Sequence, residues 1–485
     1  MQRKLIVMLL LCTTIFSASC GNSQASDNFT EPVATETTTA DTLPDDGRDK
    51  SDLPDDYNLG GYTLRLLSMT ENSNSTSMYI IAPDEVNGEV LNDTIYNRNV
   101  EVYAKYNFDI ENIYADDVMS AVNQAVLAGD DVYDVALPYL DRIAPQADSG
   151  LCLDLYNIDN LNLSKNYWDQ NFRSSLSLGG KLYFTTGDIM VSDDDNLMIM
   201  LYNRDLGDDL GVENLYDAVW DGRWTYGLLR KYVKSTASDV DGDGKITEND
   251  QVGFLWASNN CAAPHFAAVN SLLFTKDEND LPVMNSDLER AYAIYDILTE
   301  LLDQSRYSLD WIQFEGEQVN VITSLVSNKQ VLFQNMILSQ LRRLYRDVTA
   351  DFGVLPMPKY NEEQEYYYTT LWKSFEVITV PATNTHTAET GFILEALAAA
   401  SYDISNAYYD ICLESKYTRD AESFDMIELA REHVIYDIGF IYDFGKMYSS
   451  ITSSVAKCQG NLASLLASYG ESAVAAADSF IEKLQ

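Results

Sequence analysis

The most explicit chemistry in the 485-residue chain is written in Asp239-Val240-Asp241-Gly242-Asp243-Gly244-Lys245-Ile246-Thr247-Glu248-Asn249-Asp250. Oxygen donors at positions 1, 3, 5, 7, 9 and 12, with a glycine at 6 for the sharp turn, are the pattern of a calcium loop. Asp239, Asp241 and Asp243 offer carboxylates, Lys245 its backbone carbonyl, Thr247 a hydroxyl or a water contact, and Asp250 the last carboxylate in place of the usual Glu. Three aspartates converging in one turn repel unless a cation offsets them, so a structural calcium is expected here. Other chemistry finds few residues. His265, His386 and His433 stand far apart with no metal or nucleophile spacing, and Cys152, Cys261, Cys412 and Cys458 form no CxxC pair. Disulfides between them are permitted outside the cell without being specified. No phosphate loop, dinucleotide fingerprint or nucleophile elbow is present.

With 75 acidic against 32 basic residues the chain carries a formal charge of −43. Nucleic acid and anionic membrane surfaces are therefore excluded as partners, because no basic patch exists to meet their phosphates. The acidity itself reads first as solubility.

The N-terminus gives the address. Arg3 and Lys4 precede the apolar run Leu5 to Leu11 and the small residues Ser17-Ala18-Ser19 before Cys20, the order of a signal peptide over residues 1–19. A run this short cannot span a bilayer, which takes about 20 apolar residues. The small residues before the cysteine resemble the lipobox of bacterial lipoproteins, with Ser17 where that motif usually has Leu; the resemblance implies that Cys20 carries the lipid, palmitate included, and anchors the chain to the outer face of the cell membrane. Residues 20–56 are rich in Ser, Thr, Asp and Pro and poor in large apolar side chains, so they read as a disordered tether spanning about 30 Å.

The elements beyond residue 57 have to position whatever chemistry the body does. Tyr62 to Leu67, Phe108 to Ile113 and Val132 to Leu137 read as strands, and Asp93 to Tyr106 and Val118 to Ala128 as helices between them. This β-α-β-α-β order makes the fold class α/β, with a parallel sheet covered on both faces and ligands beyond the carboxyl ends of its strands. About 430 residues exceed what one core usually holds, so two lobes are expected. One strand end stands out: Trp256 closes the apolar run from Val252 and is followed by Ser258-Asn259-Asn260, an indole and two amides suited to a hydroxylated ring, although burial in a core is the commoner fate of so large an apolar side chain. Trp220 and Trp224, at the entrance to the helix beginning at Tyr226, read as packing.

Taken in order, Gly180-Lys181-Leu182-Tyr183-Phe184, Leu197 to Leu201, Tyr202-Asn203-Arg204-Asp205-Leu206, Trp224-Thr225, Gln330-Val331-Leu332-Phe333, Phe352-Gly353-Val354-Leu355-Pro356-Met357-Pro358 and Ser374 to Val380 resemble carbohydrate-binding extracellular solute-binding proteins of family 1, the maltose-binding-protein superfamily. The resemblance covers about residues 57–450. It implies a two-lobe periplasmic-binding-protein-like fold hinged by crossover strands, with 57–190 and 338–373 in lobe 1 and 191–337 and 374–485 in lobe 2. Gln330 to Phe333 is implied as a strand returning to lobe 1. It also implies a site: Tyr139, Asp141, Arg142 and Asp188 from the first lobe and hinge, Trp256, Asn259 and Asn260 from the second, and Asn335, Met336 and Trp372 near the cleft. Pro138 stands where a stacking Trp is often found, which weakens the analogy with maltose. The expected function is a receptor without enzymatic activity that captures a carbohydrate, an oligosaccharide above all, or another polar solute, and works as a monomer with the permease subunits of an ABC importer. A cell-surface glycoside hydrolase, which needs two carboxylates across a cleft, and a carbohydrate-adhesion protein are the alternatives.

Overall fold

Tyr62–Met69 (β1) alternates polar and apolar residues at its start and then buries three in succession, Leu66, Leu67 and Ser68, because both of its faces are covered. A computed structural model describes residues 47–70, 81–346, 348–409 and 418–484. The expected signal peptide, Cys20, the tether up to residue 46 and Cys412 lie outside the described residues. β1 pairs in parallel with Phe108–Ala115 (β2) on one side and Val135–Ala136 (β3) on the other, in the order β2-β1-β3. Val90–Tyr106 (α1) and Val118–Ala128 (α2) make the two crossovers, α2 capped by the Asp117 carboxylate, which accepts from Ser120 N. The strand expected over Val132 to Leu137 is ladder-paired only at Val135 and Ala136.

The second sheet is mixed, in the order β10-β4-β9-β5-β8, from Met198–Asn203 (β4), Val252–Trp256 (β5), Ser308–Asp310 (β8), Val331–Ile337 (β9) and Phe352–Leu355 (β10). A separate hairpin pairs Phe274–Lys276 (β6) with Pro282–Met284 (β7). Every residue of β4, β5 and β10 is buried, which is why these strands read as continuous apolar runs. The helix Tyr226–Thr236, capped by the Thr225 hydroxyl, lies so close on β5 that a Cβ at Gly253 would stand 2.3 Å from the Val233 carbonyl.

Two apolar clusters follow this division. One gathers Leu64, Leu66, Val135 and Leu137 of the first sheet with Leu182, Ile378 and the helix Thr387–Ala399, and the larger runs from Leu67 and Ala136 through the second sheet to the C-terminal helices. The chain passes from the first sheet to the second along 187–197 and returns along 369–376, since Ala136 bridges Thr379 and Thr185 bridges Ile378. It crosses once more between Thr387–Ala399 and the helix Ala421–Arg431, which packs with the larger cluster.

Three expectations are corrected by the structure. β9 is central to the second sheet and does not return to the first, because β4 and β5 both hydrogen-bond to it. Phe352 to Leu355 also belongs to the second sheet, where β4 offers its other edge, so 338–373 does not lie with the first lobe; 377–380 and the helix Thr387–Ala399 do. Residues 48–56, expected within the tether, rest on the body: Asp49 and Asn166 exchange hydrogen bonds of 2.9 and 2.8 Å, Lys165 reaches Asp52 at 2.9 Å, and Tyr57 stacks on Phe392. No helix among the described residues is long and apolar enough to cross a membrane.

Candidate functional site

The carboxyl ends of β5 and β9 open onto one cleft. The two strands are parallel neighbours, so the loop after Trp256 and the residues ending β9 emerge side by side. The cleft has a volume of 240 Å³, and its wall includes Asn259, Asn260, Trp311, Asn335, Met336 and Trp372. A second depression of 400 Å³ adjoins it, sharing Asn259 and Trp372 and extending over Lys373, Phe440 and Tyr448.

Asp310, at the end of β8, sets the rim. One of its oxygens, Oδ1, accepts from Ser258 N at 3.1 Å and from Ile312 N at 3.0 Å, fixing both the Asn259-Asn260 turn and the 3₁₀ turn that carries Trp311. Neither Asp310 nor Trp311 stood out in the sequence, although an Asp followed by two apolar residues after a short β-type run is an Asx-turn signal. Trp372 is held by its backbone N–H, which donates to Asn196 O at 2.9 Å. Asn335 and Asn260 are 6% and 8% exposed, and Asn335 Nδ2, Asn260 Oδ1 and Trp311 Nε1 have no hydrogen-bond partner among the described residues. Leaving such groups buried and unpaired costs about 1–3 kcal/mol each.

Trp256 is not among the wall residues. It is 1% exposed and its indole N–H donates to Ser308 Oγ at 3.1 Å, so the ring belongs to the core beneath the cleft. Its large apolar area is buried because β5 sits between β8 and β9. Trp224 packs as expected, donating to Pro356 O at 2.9 Å, whereas Trp220 is 58% exposed and packs little.

The first-lobe residues take a different place. Tyr139 precedes the short helix Leu140–Ile143 and bridges Glu376; burial, then the carboxylates of Glu376 and Asp141, push its phenol up to about 12. Asp141 accepts from Ser374 Oγ at 2.8 Å while its N–H donates to Lys373 O, binding the helix to the returning crossover. Arg142 is 70% exposed and its Nε stands 3.8 Å from Asp141 Oδ1, a wide surface pair of little energetic weight. Asp188 is half-buried, and burial, then the neighbouring Asp194 carboxylate, raise its acid to about 7. None of these four lines either depression.

Between the sheets, Asp195 is 1% exposed and paired with Arg342 Nη2 at 2.6 Å, with Tyr408 OH donating to its other oxygen at 2.6 Å. Burial raises the Asp195 carboxyl even against the lowering field of Arg342. The pair ties the first crossover to the helix Ser339–Leu344, which brings Gln340 and Arg343 to the cleft wall.

The calcium-type loop lies at the opposite end of β5, about 15 Å away by strand rise, its base closed by the Ser238–Gln251 bridge. Carboxylate oxygens of Asp239, Asp241 and Asp243 lie within 4.8 Å of one another, all three residues exposed. Gly242 and Gly244, at φ 78° and 86°, let their N–H groups turn back to Asp239 at 2.6 and 2.8 Å. Asp250 is buried and accepts from Val240 N, Thr247 N and Thr247 Oγ, each at 2.8 Å, so its carboxylate and the Thr247 hydroxyl also brace the loop. Lys245 is exposed and donates its N–H to Asp243 Oδ1. This hard-oxygen set suits calcium.

No family model matches the chain, and no curated protein matches it. Solved structures do. An ABC substrate-binding protein of Listeria monocytogenes, determined with cycloalternan, aligns at a TM-score of 0.54 and 13% identity over 87% of this chain and 99% of its own. The galacto-N-biose/lacto-N-biose I-binding protein of an ABC transporter from Bifidobacterium longum aligns at 0.56 and 12% over 87% and 98%. A cyclo/maltodextrin-binding protein complexed with maltotetraose aligns at 0.52 and 16% over 87% and 96%. The described residues from 48 to 484 thus adopt the two-lobe α/β fold of sugar-binding ABC substrate-binding proteins.

Proposed function

We propose that this chain is an extracellular receptor that captures an oligosaccharide between its lobes and hands it to an ABC importer. The observation that carries the reading is the cleft at the carboxyl ends of β5 and β9, where two indoles stand among Asn259, Asn260 and Asn335. Flat apolar faces stack on pyranose rings, and carboxamides offer a donor and an acceptor each to sugar hydroxyls. Closure over a ligand would desolvate these groups and supply partners to those left unpaired. The similar solved structures are binding proteins whose ligands are oligosaccharides, which supports capture without turnover.

On this reading Cys20 carries the lipid that holds the body at the outer face of the membrane, and the Asp239–Asp250 loop holds a structural calcium that braces the far end of β5. The receptor works as a monomer with permease subunits. A thermal-shift screen of the chain against a glycan panel, followed by calorimetry, tests the central claim. Saturable stabilisation by one glycan class supports it. Absence of binding across the panel refutes it, and hydrolysis of the bound glycan during titration replaces it with the glycosidase reading.

A further inference from the structure

The cleft carries a charge opposite to that of the chain. Acidic residues outnumber basic ones by 75 to 32, yet the two adjoining depressions hold Arg343, Lys373 and Lys457 and no carboxylate among the described residues. Arg343 is exposed on the wall beside Asn335 and Gln340, and no hydrogen bond or ion pair engages its guanidinium among the described residues. Its neighbour Arg342 is committed to Asp195, and Asp195 is in turn filled by Arg342 and Tyr408, so it has little left to offer Arg343. Lys373 donates to Phe440 O at 2.7 Å. The unpaired neutral groups tilt the same way: Asn335 Nδ2 and Trp311 Nε1 are donors, and Asn260 Oδ1 is the one acceptor. A wall with a free guanidinium and more donors than acceptors fits a ligand rich in acceptors and negative at one place.

Resting on the oligosaccharide reading above, we infer that the ligand is an acidic saccharide whose uronate carboxylate pairs with Arg343. The two parallel N–H groups of a guanidinium edge match the two coplanar oxygens of a carboxylate. One such edge is what the cleft supplies, whereas the three oxygens of a sulfate ester ask for donors on several sides. The field of the whole chain repels anions, so the cationic wall is a local reversal that a neutral sugar would not need.

The test uses the full chain in detergent and calorimetry against galacturonate oligomers of two to four units, the neutral galactose oligomers of equal length, and the same galactose oligomers carrying sulfate. Glucuronate-bearing and plain xylo-oligosaccharides repeat the comparison. Expected is binding of at least one acidic series about tenfold or more tighter than its neutral partner, and a loss of about tenfold for that series in Arg343→Gln, the melting temperature being unchanged. Neutral oligomers that bind as tightly as the acidic ones overturn the inference and leave the oligosaccharide receptor standing. Sulfated oligomers that bind as tightly as uronates overturn the carboxylate assignment. An acidic preference that survives Arg343→Gln removes Arg343 from it. Absence of binding by every probe brings down the inference together with the reading on which it rests.

Discussion

Arg342→Met takes away the guanidinium that stands 2.6 Å from Asp195 and keeps roughly the same apolar stem. Both side chains are almost sealed from water, at 8% and 1% exposed, so screening does not soften the change as it does for surface pairs. Breaking a buried pair from one side costs about 3–5 kcal/mol, because the remaining charge is left uncompensated. Tyr408 OH still donates to Asp195 Oδ1, which places the expected loss near the lower end, about 3 kcal/mol at pH 8. The sign of the pH dependence follows from the same carboxyl. Burial already holds it above its ordinary value, and Arg342 is the largest influence lowering it, so the variant's carboxyl rises further. A folded-state acid raised above its unfolded value destabilises when ionised. The penalty therefore recedes as pH falls, by up to about 1.4 kcal/mol per pH unit. Urea unfolding of wild type and variant at pH 8 and pH 5 reads both effects, and Asp195→Leu combined with Arg342→Met should recover most of the loss. A loss below about 1 kcal/mol at pH 8, or an equal loss at both pH values, would show that the pair does not bear the charge balance assigned to it.

Burial raises Asp194 and Asp437 to about 6 and Asp188 to about 7. These folded-state acids hold protons that the unfolded chain has released, so stability should decline as pH rises from 5 to 8, and Asp437→Asn should flatten the decline; stability that climbs over that range contradicts the assignment. Calcium at a hundredfold excess over its dissociation constant should stabilise the chain by about 2.7 kcal/mol against a chelator control, and Asp241→Ala should abolish the difference; identical melts with and without calcium in the wild type remove the ion. Once a ligand is in hand, Trp372→Ala should weaken it by about 0.5–1.5 kcal/mol through lost stacking, while Trp256→Phe lowers stability and leaves affinity unchanged; the opposite pattern would place the site on the wrong residues. Palmitate should label the wild type and not Cys20→Ala, and label that persists in the variant would refute anchoring at Cys20.

Local periodicity made the first sheet readable: the alternation after Tyr62 and the capped helix after Asp117 depend on neighbours a few residues away. The second sheet hid its order, since runs such as Leu332-Phe333 and Val354-Leu355 are buried on both faces and carry no periodicity to say which strand adjoins which. That is why β10 was expected in the wrong lobe and β9 was read as a return strand instead of as the centre of its own sheet. The amides of the cleft were legible because they stand at the ends of β5 and β9, where ligands of open sheets gather, whereas Trp372 lies on the returning crossover, just after the Leu197–Leu371 bridge. Trp256 stayed open between cleft and core because an indole at a strand end satisfies the same pattern either way, and its partner Ser308 lies 52 residues away. Arg343 could not be told from Arg342 in sequence; only the position of Asp195 separates the committed cation from the free one.

The single oxygen of Asp310 that receives both Ser258 N and Ile312 N bears on how the cleft can diversify. Two segments of the rim share one fastening, so a substitution that shifts either disturbs the other, and drift in these turns is constrained jointly. The helix bearing Arg343 is fastened elsewhere, through Arg342 and Asp195. Its exposed positions are free to change one at a time. If the proposed function holds, selection for a new solute would find its easiest route along the Ser339–Leu344 face, with the Asn259 and Trp311 turns inherited as a unit.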